Sequence, residues 1–298
     1  MTWLRSYLFA PGNSEKLVAK VFGAGADAIV LDLEDAVPPS EKVRARQLVA
    51  KALSRTAPAG GREADGQPSV FVRINALDSQ EWREDINASV TPAVSAIRVP
   101  KAESLDMFCR LNDAISQREE LAGLRVGSLA VVATIESARG LARVDEIGGA
   151  PRLSGFTFGS SDYCADVGAD PIDETATLFA RSRLVMASRC HRLNPPVASV
   201  FTRLDDDAGL RADTMKQRAL GFFGRSAIHP RQLATIHQLF SPTDDEVKAS
   251  RDIVAAFETS RSQGVGALQT GGGFVDAAVV RRAEATIELS ERQRREGR

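Results

Sequence analysis

Residues 28–35 read AIVLDLED and residues 130–137 read AVVATIES, two near-continuous apolar runs that each stop in acidic residues. Runs of that kind suit strands covered on both faces, as the strands of a parallel sheet are. Working outward, further β-favouring runs bounded by Gly, Pro or charge lie at residues 6–9, 69–74, 96–99, 155–158, 197–200 and 227–229. Most segments between them carry helical spacing, as at residues 15–23 and 40–53. Eight strand–helix units predict an α/β chain folded as a (β/α)8 TIM barrel. The barrel is expected over residues 1–240, followed by a C-terminal helical lid extension over 241–298. That extension has helical stretches at 243–263 and 275–296, separated by GVGALQTGGGF, whose glycines 271–273 form a hinge. The polar, turn-rich PAGGREADGQP at 58–68 reads as a surface loop, not a domain linker.

Composition narrows the partners. The chain has 298 residues, with 38 Lys plus Arg against 39 Asp plus Glu, so a nucleic acid is not expected while small anionic ligands are. No apolar run approaches the roughly 20 residues that cross a bilayer, and the first residues lack a secretory pattern; a cytoplasmic protein without membrane contact is expected. Cys109, Cys164 and Cys190 are scattered without a CxxC pair, which points to neither disulfides nor a thiolate metal site.

In a (β/α)8 barrel the C-terminal strand ends meet at one mouth. Here they carry Glu34 and Asp35, Arg73 and Asn75, Lys101, Glu136, Asp162 and His229. Glu136 and Asp162 can serve a hard divalent cation, which takes one or two carboxylates and fills its remaining positions with water or substrate oxygens. The planar fork of Arg73 suits a substrate carboxylate. Bland readings stand beside these: Glu136 as a strand-end acid with Ser137 or Ser161 starting the next helix, Arg73 as an ion-pair partner of Glu34 or Asp35, and His229 as the holder of a backbone carbonyl. FGSSD carries no nucleophile elbow, and the GGG at 271–273 lacks the Lys-Ser/Thr of a P-loop.

RSYLFAPGNSEKL, GADAIVLDLEDAV, FVRIN, VPKAES, ATIESARGL, FGSSDY, ARSRLV, GFFGRSAIHP and GFVDAAVVRRA, in this order from residue 5 to 283, resemble the citrate lyase β-subunit-like family of the HpcH/HpaI aldolase superfamily. The resemblance implies a carbon–carbon lyase that uses Mg2+, or Mn2+ in its place, to cleave a β-hydroxyacyl-CoA thioester such as malyl-CoA or citramalyl-CoA to acetyl-CoA and a 2-keto acid. A citryl-thioester lyase subunit giving oxaloacetate and a non-catalytic acyl-CoA-binding scaffold are the alternatives. It places the metal on Glu136 and Asp162, the keto acid's carboxyl end on Arg73, the CoA phosphates on Lys16 and Lys20, and the acid–base role on Asp276, carried by a lid into a neighbouring mouth of a homotrimer. Two positions depart from the family pattern: Val197-Ala198 stands where many relatives have Ile-Asp, and Phe9 where close relatives have Tyr. Both make the mouth more apolar.

Overall fold

A computed structural model describes residues 3–56, 67–170, 175–262, 267–270 and 273–295. Much of the loop at 58–68 and glycines 271 and 272 of the expected hinge lie outside them. The chain divides into two compact units, Met1–Ile236 and His237–Arg298.

In the first unit strands and helices alternate. β1 (Ser6–Pro11) leads to α1 (Glu15–Val21), β2 (Ala28–Asp32) to α2 (Lys42–Thr56), β3 (Ser69–Arg73) to α3 (Trp82–Ser89) and β4 (Ala96–Val99) to α4 (Leu105–Leu121). β5 (Ala130–Ile135) is followed by the short α5 (Ala138–Ala142) and α6 (Val144–Gly148), and β6 (Leu153–Phe158) by α7 (Ser160–Val167) and α8 (Thr175–Cys190). α9 (Asp207–Leu220) then precedes β7 (Arg225–Ala227), and α10 (Leu233–Phe240) runs across the division. The strands form one seven-stranded sheet in the order β6-β5-β4-β3-β2-β1-β7, and its pairings are parallel. Its outer strands are joined through a short segment, with Thr157 bridging Val197 and Ala198 bridging Arg225 in parallel. The sheet therefore curls round on itself in the manner of a TIM barrel.

Two of the expected strands are shorter or shifted. Residues 197–200 supply only the bridges at Val197 and Ala198, because Pro195 and Pro196 before them have no N–H to give a ladder. The last strand is Arg225–Ala227, since Gly224 with φ 81° turns the chain into it and Pro230 opens a tight turn after it. A Cβ at Gly224 would overlap the Leu4 carbonyl oxygen, so the residue just before the strand must be glycine.

Side chains alternate along each strand, and one alternate set fills the interior. Tyr7, Ala28, Val30, Phe71, Ala96, Val132 and Val197 pack there with Phe9 and Ala130. The other set, including Ile29, Leu31, Val72, Ile97 and Ile135, is fully buried too. Burying such a side chain stabilises by roughly 1.5–3 kcal/mol. Both faces are thus dry, which explains the unbroken apolar runs in the sequence.

In the second unit, α11 (Asp244–Ser262) packs against α12 (Ala277–Arg295), and β8 (Leu268–Thr270) pairs antiparallel with β9 (Gly273–Val275). Gln293 Nε2 donates to the Phe240 carbonyl at 3.3 Å. Among the described residues no helix is long and apolar enough to cross a membrane.

Candidate active site

The interior columns change character toward the C-terminal strand ends. Above Val30 in β2 comes Asp32, above Phe71 in β3 Arg73, above Ala96 in β4 Arg98, and above Val132 in β5 Thr134 and then Glu136. Asp32, Arg73 and Arg98 are register neighbours across β2, β3 and β4. With Phe9, Ser199 and the head of α7 they line a cavity of about 300 Å3.

Asp32 organises this mouth. Its carboxylate takes Arg73 in two-point fashion, from Nε and Nη2, both at 2.7 Å. It also accepts from the Glu34 and Ala36 amides at 3.0 and 3.2 Å, which folds the turn after β2. Lys42 Nζ fastens the same turn by donating to the Leu33 and Glu34 carbonyls at 2.7 Å each. Arg73 Nη1 then lies 2.9 Å from Glu34, and Lys101 Nζ lies 3.0 Å from the other Glu34 oxygen. Burial pushes the Glu34 carboxyl above its usual range, Asp35 adds to the shift, and Arg73 and Lys101 work against it. Burial works against the charge on Arg73 too, yet its bonds to Asp32 hold it well above the ordinary arginine value. The bland reading of Arg73 therefore describes this state, with Asp32 as the principal partner.

Glu136 is short of donors. Ser137, not Glu136, caps α5, its Oγ accepting from the Gly140 amide at 3.1 Å, so the glutamate is left to face the mouth. One carboxylate oxygen accepts from the Lys101 amide at 2.6 Å, a geometry that uses the left-handed backbone of Lys101 at φ 49°. Among the described residues the other oxygen accepts no hydrogen bond. A Cβ at Gly159 would overlap that free oxygen, so glycine clears the space it occupies. Burial raises the Glu136 carboxyl to about 7, and Glu34 and Asp162 push the same way while the Lys101 amide and Arg73 oppose it. Asp162 lies in the first turn of α7, whose cap Gly159 gives no side-chain bond; Ser161 does not cap it either. Ser199 braces that helix, its Oγ accepting from the Ser160 amide at 3.2 Å and donating to the Phe158 carbonyl at 2.7 Å.

Two carboxylates lining one cavity, with one Glu136 oxygen unspent and the Glu136 protonation point raised chiefly by burial, fit a hard divalent cation. Among the described residues no cluster of three or more His, Cys, Asp or Glu forms a complete cage, so water or substrate oxygens would fill the remaining positions.

Asp32, Arg98 and Phe9 are residues that sequence reasoning missed in their roles. Arg98 is 5% exposed, and its Nη1 and Nε donate to Ser226 Oγ at 3.1 Å and Thr134 Oγ1 at 3.4 Å. Burial, reinforced by Arg73, lowers it to about 10. The Phe9 ring serves both guanidiniums, with Arg98 at 4.9 Å and Arg73 at 5.1 Å from its centroid. A charged residue inside the run AIRVP was the available signal for Arg98.

Other expected residues lie elsewhere. His229 is exposed, and its Nδ1 accepts from the Arg231 amide at 3.1 Å to cap the turn at Pro230–Gln232; it holds a backbone N–H where a carbonyl was expected. It does not line the cavity. Lys16 and Lys20 are exposed on α1, with no ion pair among the described residues. Asp276, in the second unit, caps α12 by accepting from Val279 and Ala278 amides at 3.0 and 2.9 Å, which hold its carboxyl below the usual range.

This barrel with a two-carboxylate mouth belongs to the HpcH/HpaI aldolase/citrate lyase family, whose model matches residues 5–230. The chain is 35% identical over 288 residues to citrate lyase subunit beta of Leuconostoc mesenteroides subsp. cremoris, covering 96% of this chain and 93% of that one. It is 32% identical over 310 residues to the L-malyl-CoA/beta-methylmalyl-CoA lyase of Cereibacter sphaeroides, covering 96% and 94%. Among solved structures, the protein CitE of Mycobacterium tuberculosis in complex with magnesium, acetoacetate and coenzyme A aligns with a TM-score of 0.76 at 26% identity, over 97% of this chain and 99% of that one. These named relatives are lyases, or bind a metal, a keto acid and a coenzyme A at once.

Proposed function

We propose that this protein is a Mg2+-dependent carbon–carbon lyase acting on a β-hydroxyacyl-CoA, of the citramalyl-CoA or malyl-CoA type, to give acetyl-CoA and a 2-keto acid. The observation that carries the reading is Glu136, a buried carboxylate raised to about 7 that lines the same cavity as Asp162. The lyase relatives and the magnesium, acetoacetate and coenzyme A held by CitE support it.

Glu136 and Asp162 would hold Mg2+, which when bound supplies a Lewis acid for the keto oxygen. Arg73, fixed by Asp32, orients the carboxylate beside it. In cleavage a base removes the β-hydroxyl proton, the C–C bond breaks, and its electron pair passes into the thioester as an enolate that is then protonated. We assign the base to an Asp276 carboxylate from a neighbouring subunit of a homotrimer, brought in by the second unit acting as a lid. The amides at the head of α12 keep that carboxyl ionised, which suits a base. Lys16 and Lys20, four residues apart on one helix face, are assigned to the CoA phosphates.

Chromatographic product analysis of the pure protein with Mg2+, offered citramalyl-CoA, malyl-CoA and citryl-CoA separately, tests the reading. EDTA-sensitive release of acetyl-CoA from one of them is the expected result. Absence of cleavage of all three would overturn it.

A further inference from the structure

The helix that carries Asp162 is tied directly to the segment that carries Glu136. Asp166 lies four residues after Asp162, on the same side of α7. Its Oδ2 accepts at 2.7 Å from the amide of Ala138, the first residue of α5 and the second after Glu136. At its other end α7 starts hard against the same glutamate, since a Cβ at Gly159 would overlap Glu136 Oε2. The helix therefore meets the Glu136 segment at Gly159 and again at Asp166, and Asp162 stands between the two contacts. Glu136 is itself fixed by the Lys101 amide, so it is the reference against which α7 is set. Asp166 and Ala138 are both exposed, and exchanging either leaves the core packing alone.

We propose that Asp166 is a positioning residue that sets the span between Glu136 and Asp162, and with it the size of the cation they accept. This rests on the reading above in which those two carboxylates are the cation's ligands. Along the helix from Gly159, Asp162 lies roughly 4.5 Å away and Asp166 roughly 10.5 Å. A displacement at Asp166 thus reaches Asp162 reduced by somewhat more than half. One added methylene would push the far end of α7 out by up to about 1.5 Å, and Asp162 by about 0.6 Å. A calcium–oxygen bond is longer than a magnesium–oxygen bond by about 0.3–0.5 Å. The lever has the right length to separate the two ions, and aspartate at 166 holds the shorter span.

Calorimetric titration of the full-length protein with Mg2+ and, separately, Ca2+ tests this without turnover, and the readout is the ratio of the two affinities. Asp166→Glu is expected to shift that ratio about tenfold toward Ca2+. Asp166→Ala should weaken Mg2+ about fivefold, the worth of one ordinary hydrogen bond, and Ca2+ less than about twofold, because a loosened span no longer penalises the larger ion. Asp166→Asn still offers an oxygen to the amide and should keep the ratio of the unaltered protein. Ala138→Pro removes the donor at the first helical position, where proline is tolerated and the extended backbone of Ser137 accommodates it. It should reproduce the Asp166→Ala ratio and leave that substitution without further effect when the two are combined, and it decides the matter if Asp166→Ala fails to fold. Ratios unchanged in Asp166→Ala and Ala138→Pro, even with both affinities lowered, would overturn the proposal and leave the cation reading standing. An unaltered protein that binds neither ion would overturn the cation reading and the proposal with it.

Discussion

Two buried glutamates stand at opposite ends of the same strand, β5, and they have opposite fates. Glu119, on α4 beside the start of the strand, is fully buried. It accepts from the Gly127 and Leu129 amides, from Ser128 Oγ, and from both Nη atoms of Arg152, at distances of 2.8 to 3.0 Å. Despite burial, that ring of donors holds its carboxyl below the usual range. Glu136, at the far end, has burial without the donors and is pushed up to about 7. A carboxylate that serves the fold is satisfied by the fold. One left without donors is the kind a ligand could complete, and that difference marks Glu136 as the candidate for chemistry where composition cannot.

The contrast can be broken from either end. Removing the donor at the satisfied end should have the largest effect: Arg152→Met is expected to lower the unfolding free energy by about 3–5 kcal/mol, the cost of stranding one partner of a buried pair. Urea denaturation measures it, and a loss below about 1 kcal/mol would erase the distinction between the two ends. Glu136→Gln should do the reverse. Metal-free stability should hold or rise because a poorly satisfied charge is gone, while turnover falls roughly 100- to 1000-fold with loss of the cation. A variant with full turnover, or one that unfolds, would place Glu136 with Glu119.

The smallest effect sharpens the comparison through pH. The folded carboxyl of Glu136 is raised from 4.5 to about 7, so the folded, metal-free protein binds a proton there that the unfolded chain releases. That contribution is complete below about 4.5 and is lost as pH rises through about 7. A cation must displace the same proton. Apparent Mg2+ affinity should therefore drop about tenfold per pH unit below 7 and level off above it. Titrations at pH 6, 7 and 8 check this; a flat profile would mean that Glu136 is not the group the cation meets.

Much of this was legible in the sequence. Unbroken apolar runs such as AIVL at 28–31 announced parallel strands, and acids at their ends announced the mouth, because burial on two faces and convergence at one end follow from the barrel itself. Asp32 and Arg98 were not legible as site residues. Each lies inside a strand, where period alone does not say which column faces the interior, and their roles emerge only from the register of β2, β3 and β4. His229 shows the converse limit. Its place after β7 matches the pattern, but the following Pro230 turns the chain and draws the imidazole into a cap. Residues 197–200 looked like a strand by composition, and only pairing shows how little of them joins the sheet.

That thin join bears on how firmly the site is held. It is held by Val197 and Phe158 with Phe156 on one side, and by Ala198, Gly224 and Ser226 on the other, in bonds of 2.9 to 3.2 Å. Ser199, the next residue, steadies the first turn of α7 and with it Asp162. Glu136 instead adjoins a strand paired on both sides, with a single register shift at Val131–Val132 far from the mouth. The two carboxylates proposed to share a cation therefore rest on unequal supports. Hydrogen bonds that touch neither carboxylate thus decide how firmly the Asp162 side is held.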